Sequence, residues 1–483
     1  MTLDPATVAS YVKSAWDSHV TDALYDYIRI PNVSVAFDPD WAEAGHMARA
    51  VALIRGWCEQ RANDVLTDAT VAVHELPGRT PVIVIDVPAY GPHAADGERS
   101  DDIVLLYGHL DKQPPFEGWR DDLGPWEPVL QGDKLYGRGA ADDGYAVFAA
   151  LTAIEAVRAA GGSHRRCVVL IEASEESGSP DLPPHLAELE ARIGTPSLVV
   201  GLDSGCGDWE RLWVTTSLRG LIDLVLRVDI LTEGVHSGNA GGIVPSSFRI
   251  LRRLLDRLED PDTGVLTIPE LHVEVPDERR KQTQETAAEL RGLTSHYPLV
   301  ANATPCHSGT DELLLARAWG SALEVVGLEG APPPSSAGNV LRPFTSAKIS
   351  IRLPPTADPQ AVMAAVVQRL SEDPPYGARV TVAPGMAEAG WHGPPDPPWL
   401  TEALHAASLA AFDQPPRYLG EGGTIPFMGM LGRSFPAARF VVTGVLGPNS
   451  NAHGPNEFLH MPTARRVTIA VGHLLDAHAH RSP

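Results

Sequence analysis

Short apolar runs alternate with amphipathic helical patterns over the first 200 residues. Apolar segments at 103–107, 167–172 and 198–202 have the length and the Val, Leu and Ile content of buried strands. Helical periodicity covers 5–28 and 40–63, and a further helical pattern lies between the first two of these strands. Strands that alternate with helices are typical of βαβ units, which place parallel strands side by side. The predicted fold is therefore α/β, with a mostly parallel sheet flanked by helices.

The pattern changes in the middle of the chain. Alternating strands are predicted at 221–230, 321–328 and 345–353, with helices between and after them. We interpret this region as an inserted α+β domain, and the Pro- and Gly-rich stretch 384–398 as the linker that returns to the first domain. The predicted bounds are 1–213 and 385–483 for the first domain, and 214–384 for the insertion.

The composition restricts the partners and the compartment. The chain has 483 residues, which is long enough for two domains. Its 61 acidic and 38 basic residues give a formal net charge of −23, which argues against nucleic acids and anionic membranes as partners. No apolar run approaches the roughly 18 residues of a membrane span, and scattered cysteines predict free thiols in a reducing compartment. Because the first residues indicate a helix and not a signal peptide, we expect a cytoplasmic protein.

Acidic residues and a histidine follow the three predicted parallel strands. His109 and Asp111 come two residues apart after the first strand, so their side chains point the same way in an extended segment. The Glu175-Glu176 pair ends the second strand, and Asp203 ends the third. The C-terminal ends of parallel strands meet at one edge of a sheet, where ligands bind in α/β proteins. Carboxylates gathered there repel one another unless cations hold them.

Two further segments carry candidate ligands. Asp142 and Asp143 follow a Gly-rich loop and precede a helix, and His453 lies in the segment GVLGPNSNAHGPNE at 444–457. Each candidate has an ordinary alternative. An aspartate before a helix can be a cap, a Glu-Glu pair can belong to a solvated face, and an isolated histidine can lie on the surface. The candidate ligand set is His109, Asp142, Glu176, Asp203 and His453.

This set of residue types indicates a particular chemistry. Two imidazoles with several carboxylates suit zinc, manganese or cobalt, and the lack of cysteine ligands argues against a purely structural zinc site. Five ligands are too many for one tetrahedral ion but suit two ions that share a bridging carboxylate. Two metals roughly 3.5 Å apart polarise a carbonyl and generate hydroxide near neutral pH. Glu175 then remains free to accept the proton of the attacking water, and Asp111 orients His109 through its second ring nitrogen.

Taken together, the motifs resemble the co-catalytic zinc exopeptidases, the group of aminoacylase, carboxypeptidase G and carnosine dipeptidase. The resemblance is strongest to the cytosolic nonspecific and carnosine dipeptidases. The matching segments follow the family's order along nearly the whole chain: GHLD (108–111), YGRGAADD (136–143), EASEESGS (172–179), GLDS (201–204), GVHSG (234–238), SIRL (350–353), EGGTIP (421–426) and NAHGPNE (451–457).

The resemblance implies a role for each candidate ligand. One metal ion has His109 and Asp203 as terminal ligands, and the other has Glu176 and His453. Asp142 bridges the two ions. A cis peptide bond is expected between Asp142 and Asp143. Glu175 matches the general base, and Asp111 matches the residue that orients His109.

The resemblance also implies residues that bind substrate. His236 matches a histidine that reaches the active site of the partner subunit and stabilises the oxyanion, so a homodimer through the inserted domain is expected. Arg352 suits a bidentate grip on a C-terminal carboxylate. A surface position for His236 and an ordinary ion pair for Arg352 are the alternatives. The other predicted substrate-binding residues are Asn339, Gly422, Gly423 and Thr424, together with Glu421, which we assign to a free α-amino group.

The sequence therefore predicts a metallopeptidase: a dinuclear metal-dependent hydrolase, most simply with zinc, that cleaves small peptides with a free C-terminal carboxylate. The inserted domain would act as a lid. An N-acyl-amino-acid or carbamoyl amidase with the same metal site is the alternative, and a non-catalytic metal- or peptide-binding protein is a third hypothesis. One departure is Gly144-Tyr145, where the dipeptidases usually have Lys-Gly, so substrate preference can differ.

Overall fold

The computed structural model describes residues 3–91, 102–290, 292–423 and 426–481. The polar composition of 90–101 predicts a loop there, and most of that segment lies outside the described residues. The strands are β1 (Thr70–His74), β2 (Val82–Val87), β3 (Ile103–His109), β4 (Val129–Gln131), β5 (Lys134–Tyr136), β6 (Arg166–Glu172), β7 (Pro196–Gly201), β8 (Trp213–Leu218), β9 (Gly220–Asp229), β10 (Val235–His236), β11 (Ala322–Glu329), β12 (Val340–Leu341), β13 (Phe344–Leu353), β14 (Arg379–Glu388), β15 (Trp391–His392), β16 (Arg417–Glu421), β17 (Arg439–Val442) and β18 (Phe458–His460).

The α-helices begin with a continuous helical stretch, in which one π-helical turn (Trp16–Val20) joins the first two. The α-helices are α1 (Pro5–Ala15), α2 (Thr21–Ile28), α3 (Trp41–Ala44), α4 (His46–Asp64), α5 (Ala146–Ala159), α6 (Leu182–Ile193), α7 (Ser237–Ala240), α8 (Ser247–Leu255), α9 (Asp277–Glu289), α10 (Thr310–Trp319), α11 (Pro359–Ser371), α12 (Pro398–Phe412), α13 (Pro426–Ser434) and α14 (Met461–His480).

The larger sheet has the strand order β1-β2-β6-β3-β7-β17-β8-β15, with β16 beside β8. Its centre, β6-β3-β7-β17, is parallel, as the alternation of strands and helices predicts. The strands β1, β2 and β15 run antiparallel to their neighbours, and β8 runs antiparallel to β17. The predicted parallel strands are therefore present at the centre, but the sheet as a whole is mixed and not mostly parallel. A short connection such as 75–81 can join only antiparallel strands.

Helices cover both faces of this sheet. Alternate residues of β3 point to opposite faces, so Val104 and Leu106 lie in one hydrophobic cluster and Leu105 and Tyr107 in another. The first cluster is built with α5 and α14, and the second with α6 and α13. Because α5 is apolar almost all round, it is buried along nearly its whole length.

A second sheet, β11-β13-β9-β14, is antiparallel throughout. The helices α8 and α11 pack on one face and share a separate hydrophobic cluster with it. The predicted return linker at 384–398 is partly wrong, since residues up to Glu388 belong to β14. A proline within this strand is tolerated because β14 lies at the sheet edge and has a bulge between Pro384 and Ala387.

The two sheets exchange segments near the predicted domain bounds. The strand β8 belongs to the larger sheet although it extends past residue 214. The helices α9 and α10 also pack against β16 of the larger sheet, through a small cluster that includes Leu290, Leu314 and Leu419. The division into domains at 214 and 384 stays a prediction.

Two predictions from the composition concern the described parts of the chain. All four cysteines are free thiols, as expected. Among the helices within the described ranges, none is both long and apolar enough to cross a membrane.

Candidate metal centre

The ends of three parallel strands bring the central acidic residues together. His109 is the last residue of β3, the Glu175-Glu176 pair follows β6, and Asp203 follows β7. These strands are neighbours in the order β6-β3-β7, so their C-terminal ends form one edge. The convergence expected from the sequence is therefore present in the fold.

Asp142 reaches the same edge from a tight turn at 140–144. The peptide bond between Asp142 and Asp143 is cis, as expected. The buried carboxylate of Glu457 holds this turn: it accepts hydrogen bonds from the backbone nitrogens of Gly139 (3.0 Å), Ala141 (3.1 Å) and Asp142 (3.3 Å). The side chain of Asp142 in this turn faces two histidines.

The two carboxylate oxygens of Asp142 face different histidines. Oδ1 lies 3.3 Å from Nε2 of His109, and Oδ2 lies 3.0 Å from Nε2 of His453. On the first side, Asp203 Oδ2 is 3.7 Å from His109 Nε2. On the second side, Glu176 Oε2 is 3.2 Å from His453 Nε2. The side chains thus form two neighbouring groups that share Asp142.

Asp111 supports this arrangement without facing its centre. Its Oδ1 lies 3.4 Å from Nδ1 of His109, the ring nitrogen that points away from Asp142, and its carbonyl oxygen lies 3.1 Å from the same atom. The carboxylate also accepts hydrogen bonds from the backbone nitrogens of Glu175 (3.1 Å) and Glu176 (3.0 Å). When Nδ1 of His109 carries the proton, Nε2 has a free lone pair that is directed at Asp142 and Asp203.

Burial of so many acids changes their protonation. Burial and the charge of Asp142 raise the pKa of Glu176 to about 7, and burial raises the pKa of Asp203 to about 6. Burial and the charge of Asp203 raise the pKa of Glu175 well above its usual value. Burial lowers the pKa of His109, but its acidic neighbours outweigh that effect and raise it. Without metal, these side chains therefore tend to hold protons on the atoms that would bind a cation. Metal binding would release those protons.

The donor set fits divalent metal ions. His109 Nε2 and Glu176 Oε1 are buried and lack a hydrogen-bond partner among the described residues. Ligand atoms of His109, Asp142 and Glu176 lie within 4.8 Å of one another, as do those of His109, Glu175 and Asp203. Imidazole nitrogens and carboxylate oxygens in this number suit zinc, manganese or cobalt.

A cavity of about 430 Å³ opens beside this centre, a size that suits a small-molecule ligand. Among the predicted substrate-binding residues, Glu421 and Gly423 line it together with Asp142, Glu175 and His453. Apolar walls complete the cavity: Leu218, Leu290, Leu293, Tyr297, Leu419, Leu446 and Pro448.

Other predicted substrate-binding residues lie elsewhere. His236 and Asn339 are adjacent in the ribbon of β10 and β12, where the Asn339 carbonyl accepts a hydrogen bond from Ser237, and the described cavity lining includes neither. The side chain of His236 is exposed. Arg352 is half-buried in β13 and also lies outside the cavity lining as described. Thr424 lies outside the described residues.

The departure at Gly144 has a steric basis. A Cβ atom at this position would come within 2.2 Å of the Tyr27 ring and 2.5 Å of the Gly139 carbonyl oxygen. The buried ammonium of Lys112 lies 4.0 Å from the centre of the same ring and donates hydrogen bonds to the carbonyls of Tyr27 and Ile30 (2.8 Å each). A lysine at 144 therefore cannot fit unless both the Tyr27 side chain and the backbone at Gly139 move.

Sequence reasoning missed two side chains that act on the centre. Glu457 forms a buried ion pair with Arg138 (2.7 Å) besides holding the turn of Asp142. Gln113 donates a hydrogen bond to Glu176 Oε2 (2.5 Å). The NAHGPNE motif contains Glu457, but its contacts span more than 300 residues of sequence. Nothing in the sequence around Gln113 indicates that this residue contacts the metal centre.

We expect Glu457→Gln to destabilise the protein by about 3 kcal/mol, because it leaves the guanidinium of Arg138 buried without a negatively charged partner. Urea unfolding of the metal-free protein measures this. Asp26→Asn is the matched control, since it breaks a pair whose side chains are 62% and 55% exposed, and it should cost at most about 1 kcal/mol. Equal effects of the two substitutions would contradict the role given to Glu457.

Comparisons with known proteins agree in both sequence and fold. The family model described as Peptidase family M20/M25/M40 matches residues 105–476. A cysteinylglycine-S-conjugate dipeptidase from Corynebacterium striatum is 28% identical over 375 residues, covering 77% of this chain and 80% of that protein. The human beta-Ala-His dipeptidase is 27% identical over 350 residues, covering 68% and 65%. The structure of the dipeptidase Dug1p from Saccharomyces cerevisiae covers both chains fully, with a TM-score of 0.75 and 21% identity.

Proposed function

Because the chain belongs to peptidase family M20/M25/M40 and is a metallopeptidase, we propose that it is a dipeptidase with a dinuclear metal centre. Its substrates are dipeptides or small peptides with a free C-terminal carboxylate. The observation that supports the dinuclear centre most directly is the position of Asp142. One of its carboxylate oxygens faces His109 and the other faces His453.

The proposed ligands form two sets that share Asp142. His109 and Asp203 would hold one ion, and Glu176 and His453 would hold the other. When bound, two such ions, most simply zinc, with manganese or cobalt as alternatives, supply the positive charge that polarises a peptide carbonyl and acidifies water.

Glu175 is proposed as the general base. Its carboxylate lines the cavity, and burial gives it a raised pKa, which suits a group that accepts and then returns a proton. It takes a proton from the attacking water and passes it to the leaving amine. Asp111 contributes by position: it orients His109 and, by binding the backbone of Glu175 and Glu176, sets the direction of both glutamates.

The substrate is proposed to lie in the cavity between charged groups. Glu421 binds the free α-amino group, and Gly422, Gly423 and Thr424 bind the peptide backbone. Arg352 binds the C-terminal carboxylate, Asn339 is a further substrate-binding residue, and His236 stabilises the oxyanion from the partner subunit. The exposure of His236 and its place outside the cavity of its own chain suit a residue that acts on another copy.

We expect a homodimer through the second sheet, which would serve as both lid and dimerisation domain. The strand β11 is an edge strand that exposes Val326 and Leu328, and unpaired edges of this kind associate readily. The double variant V326K/L328K should be monomeric by light scattering, and it should keep its metal but lose kcat because the partner's histidine is absent.

Val265→Lys is the matched control, because Val265 and Val326 are each 59% exposed but Val265 does not belong to β11. A dimeric V326K/L328K variant, or a monomeric wild type with full activity, would contradict the proposed assembly.

The test of the function is a panel of dipeptides, tripeptides and N-acyl amino acids, assayed with metal-free protein refilled with zinc or manganese. We expect dipeptides with a free amino group to be hydrolysed fastest, because Glu421 has no partner in an acylated substrate. If blocking the α-amino group leaves the rate of hydrolysis unchanged, the protein is an amidase of N-acyl or carbamoyl amino acids and not a dipeptidase. The cytoplasmic location stays a prediction.

A further inference from the structure

Two arginines from different elements flank Gly422 at the rim of the cavity. Arg219, between β8 and β9, donates from Nε to the Gly422 carbonyl (3.3 Å) and from Nη1 to the Gly320 carbonyl (3.2 Å). A Cβ atom at Gly422 would lie 3.0 Å from Nη2 of Arg219 and 3.2 Å from Cγ of Arg317 in α10. The two long side chains are therefore packed against the same backbone segment that follows Glu421.

Arg352 adds a third guanidinium to this region. In the pairing of β13 with β9, its Cα lies opposite Leu221, two residues after Arg219. Burial, followed by the charges of Arg352 and Arg317, lowers the pKa of Arg219 to about 10. Three like charges are thus concentrated in a chain that has 61 acidic and only 38 basic residues. Such a concentration is favourable where an anion binds.

Arg317 is the member of this arginine cluster that reaches the cavity wall. Its Nε and Nη2 atoms are buried and have no hydrogen-bond partner among the described residues. The nearest acidic group, Glu421 Oε2, is 4.0 Å from Nη2, which is too far for a hydrogen bond. Buried donors of a charged group are costly unless an acceptor meets them. A ligand in the cavity can supply that acceptor.

Building on the proposed dipeptidase function, we propose that the arginine cluster binds a second carboxylate of the substrate, so that the enzyme prefers dipeptides whose C-terminal residue is aspartate or glutamate. The α-carboxylate pairs with Arg352, and the side-chain carboxylate accepts hydrogen bonds from Arg317. Arg219 adds positive charge behind them. A bidentate carboxylate occupies one guanidinium, so a single α-carboxylate leaves the donors of Arg317 without a partner.

The test compares Ala-Glu with Ala-Gln, which have nearly the same shape and differ in one charge. We expect wild-type kcat/KM to favour Ala-Glu at least tenfold, and Arg317→Gln to bring this ratio close to one. The exposed Arg49, in α4, provides the matched control: Arg49→Gln should keep the wild-type ratio. A wild-type ratio near one, or an unchanged ratio in Arg317→Gln, would overturn the proposal.

A binding measurement separates this inference from the proposed function. Calorimetric titration of metal-loaded Glu175→Gln with each dipeptide reports affinity without turnover. Tighter binding of Ala-Glu by at least tenfold, lost when Arg317→Gln is added, supports the arginine cluster even if no dipeptide is hydrolysed. Equal affinities overturn it, whereas hydrolysis of both dipeptides at similar rates leaves the dipeptidase function intact.

Discussion

Replacing Glu175 with glutamine is expected to lower kcat by about 10²- to 10⁴-fold, the usual contribution of a general acid–base group. The amide keeps the shape and the hydrogen-bonding reach of the side chain but cannot take a proton from water. Because Glu175 is assigned to proton transfer and not to metal binding, the metal content should stay at two ions per chain. Steady-state kinetics together with elemental analysis of the same samples measures both quantities.

The metal content decides between two roles for Glu175. One group of possible ligand atoms includes Glu175 with His109 and Asp203, so a direct metal contact is the competing role. Loss of one ion along with activity would assign Glu175 to the metal. Glu188→Gln, a change in a side chain that is 60% exposed, should alter neither activity nor metal content.

The second large effect is expected for Asp142→Asn, which should remove both ions at metal concentrations that saturate the wild type. Substitution of a residue that only hydrogen-bonds to a metal ligand lowers metal affinity about 10- to 100-fold. We therefore expect metal affinity to fall at least about 100-fold when the proposed shared ligand, Asp142, is itself replaced. Titration of metal-free protein with zinc, followed by calorimetry, measures the number of ions bound and their affinities.

Asp203→Asn provides the comparison for the bridging role. Among the described residues, Asp203 lies within 4.0 Å of one of the two histidines, His109, whereas Asp142 lies within that distance of both. We therefore expect Asp203→Asn to weaken the binding of one ion and to leave the binding of the other unchanged. If the two substitutions have the same effect on stoichiometry, Asp142 does not bridge. Thermal unfolding of the metal-free variants distinguishes loss of ligand from loss of fold.

Much of the centre could be predicted because its residues stand at the ends of recognisable strands. The apolar runs before His109, Glu175 and Asp203 identify parallel strands, and the geometry of such sheets places their ends together. The edges of the sheet are harder to predict from the sequence. Short connections and the irregular strand β14 carry weaker patterns, and Pro384 favours a linker although an edge strand tolerates proline.

The acids and histidines that end the strands, their number and the family that they resemble can all be predicted from the sequence. Their mutual arrangement could be read only from the folded chain. The fold turned the two oxygens of Asp142 toward different histidines, placed Glu457 under the turn of Asp142, and brought Arg317 to the cavity wall. These contacts join residues that are distant along the chain, and their geometry depends on packing, which local patterns do not encode. His109 and Asp111, two residues apart, show the difference: their spacing predicts that they act together, but the fold shows which ring nitrogen faces Asp111 and which faces the other acids.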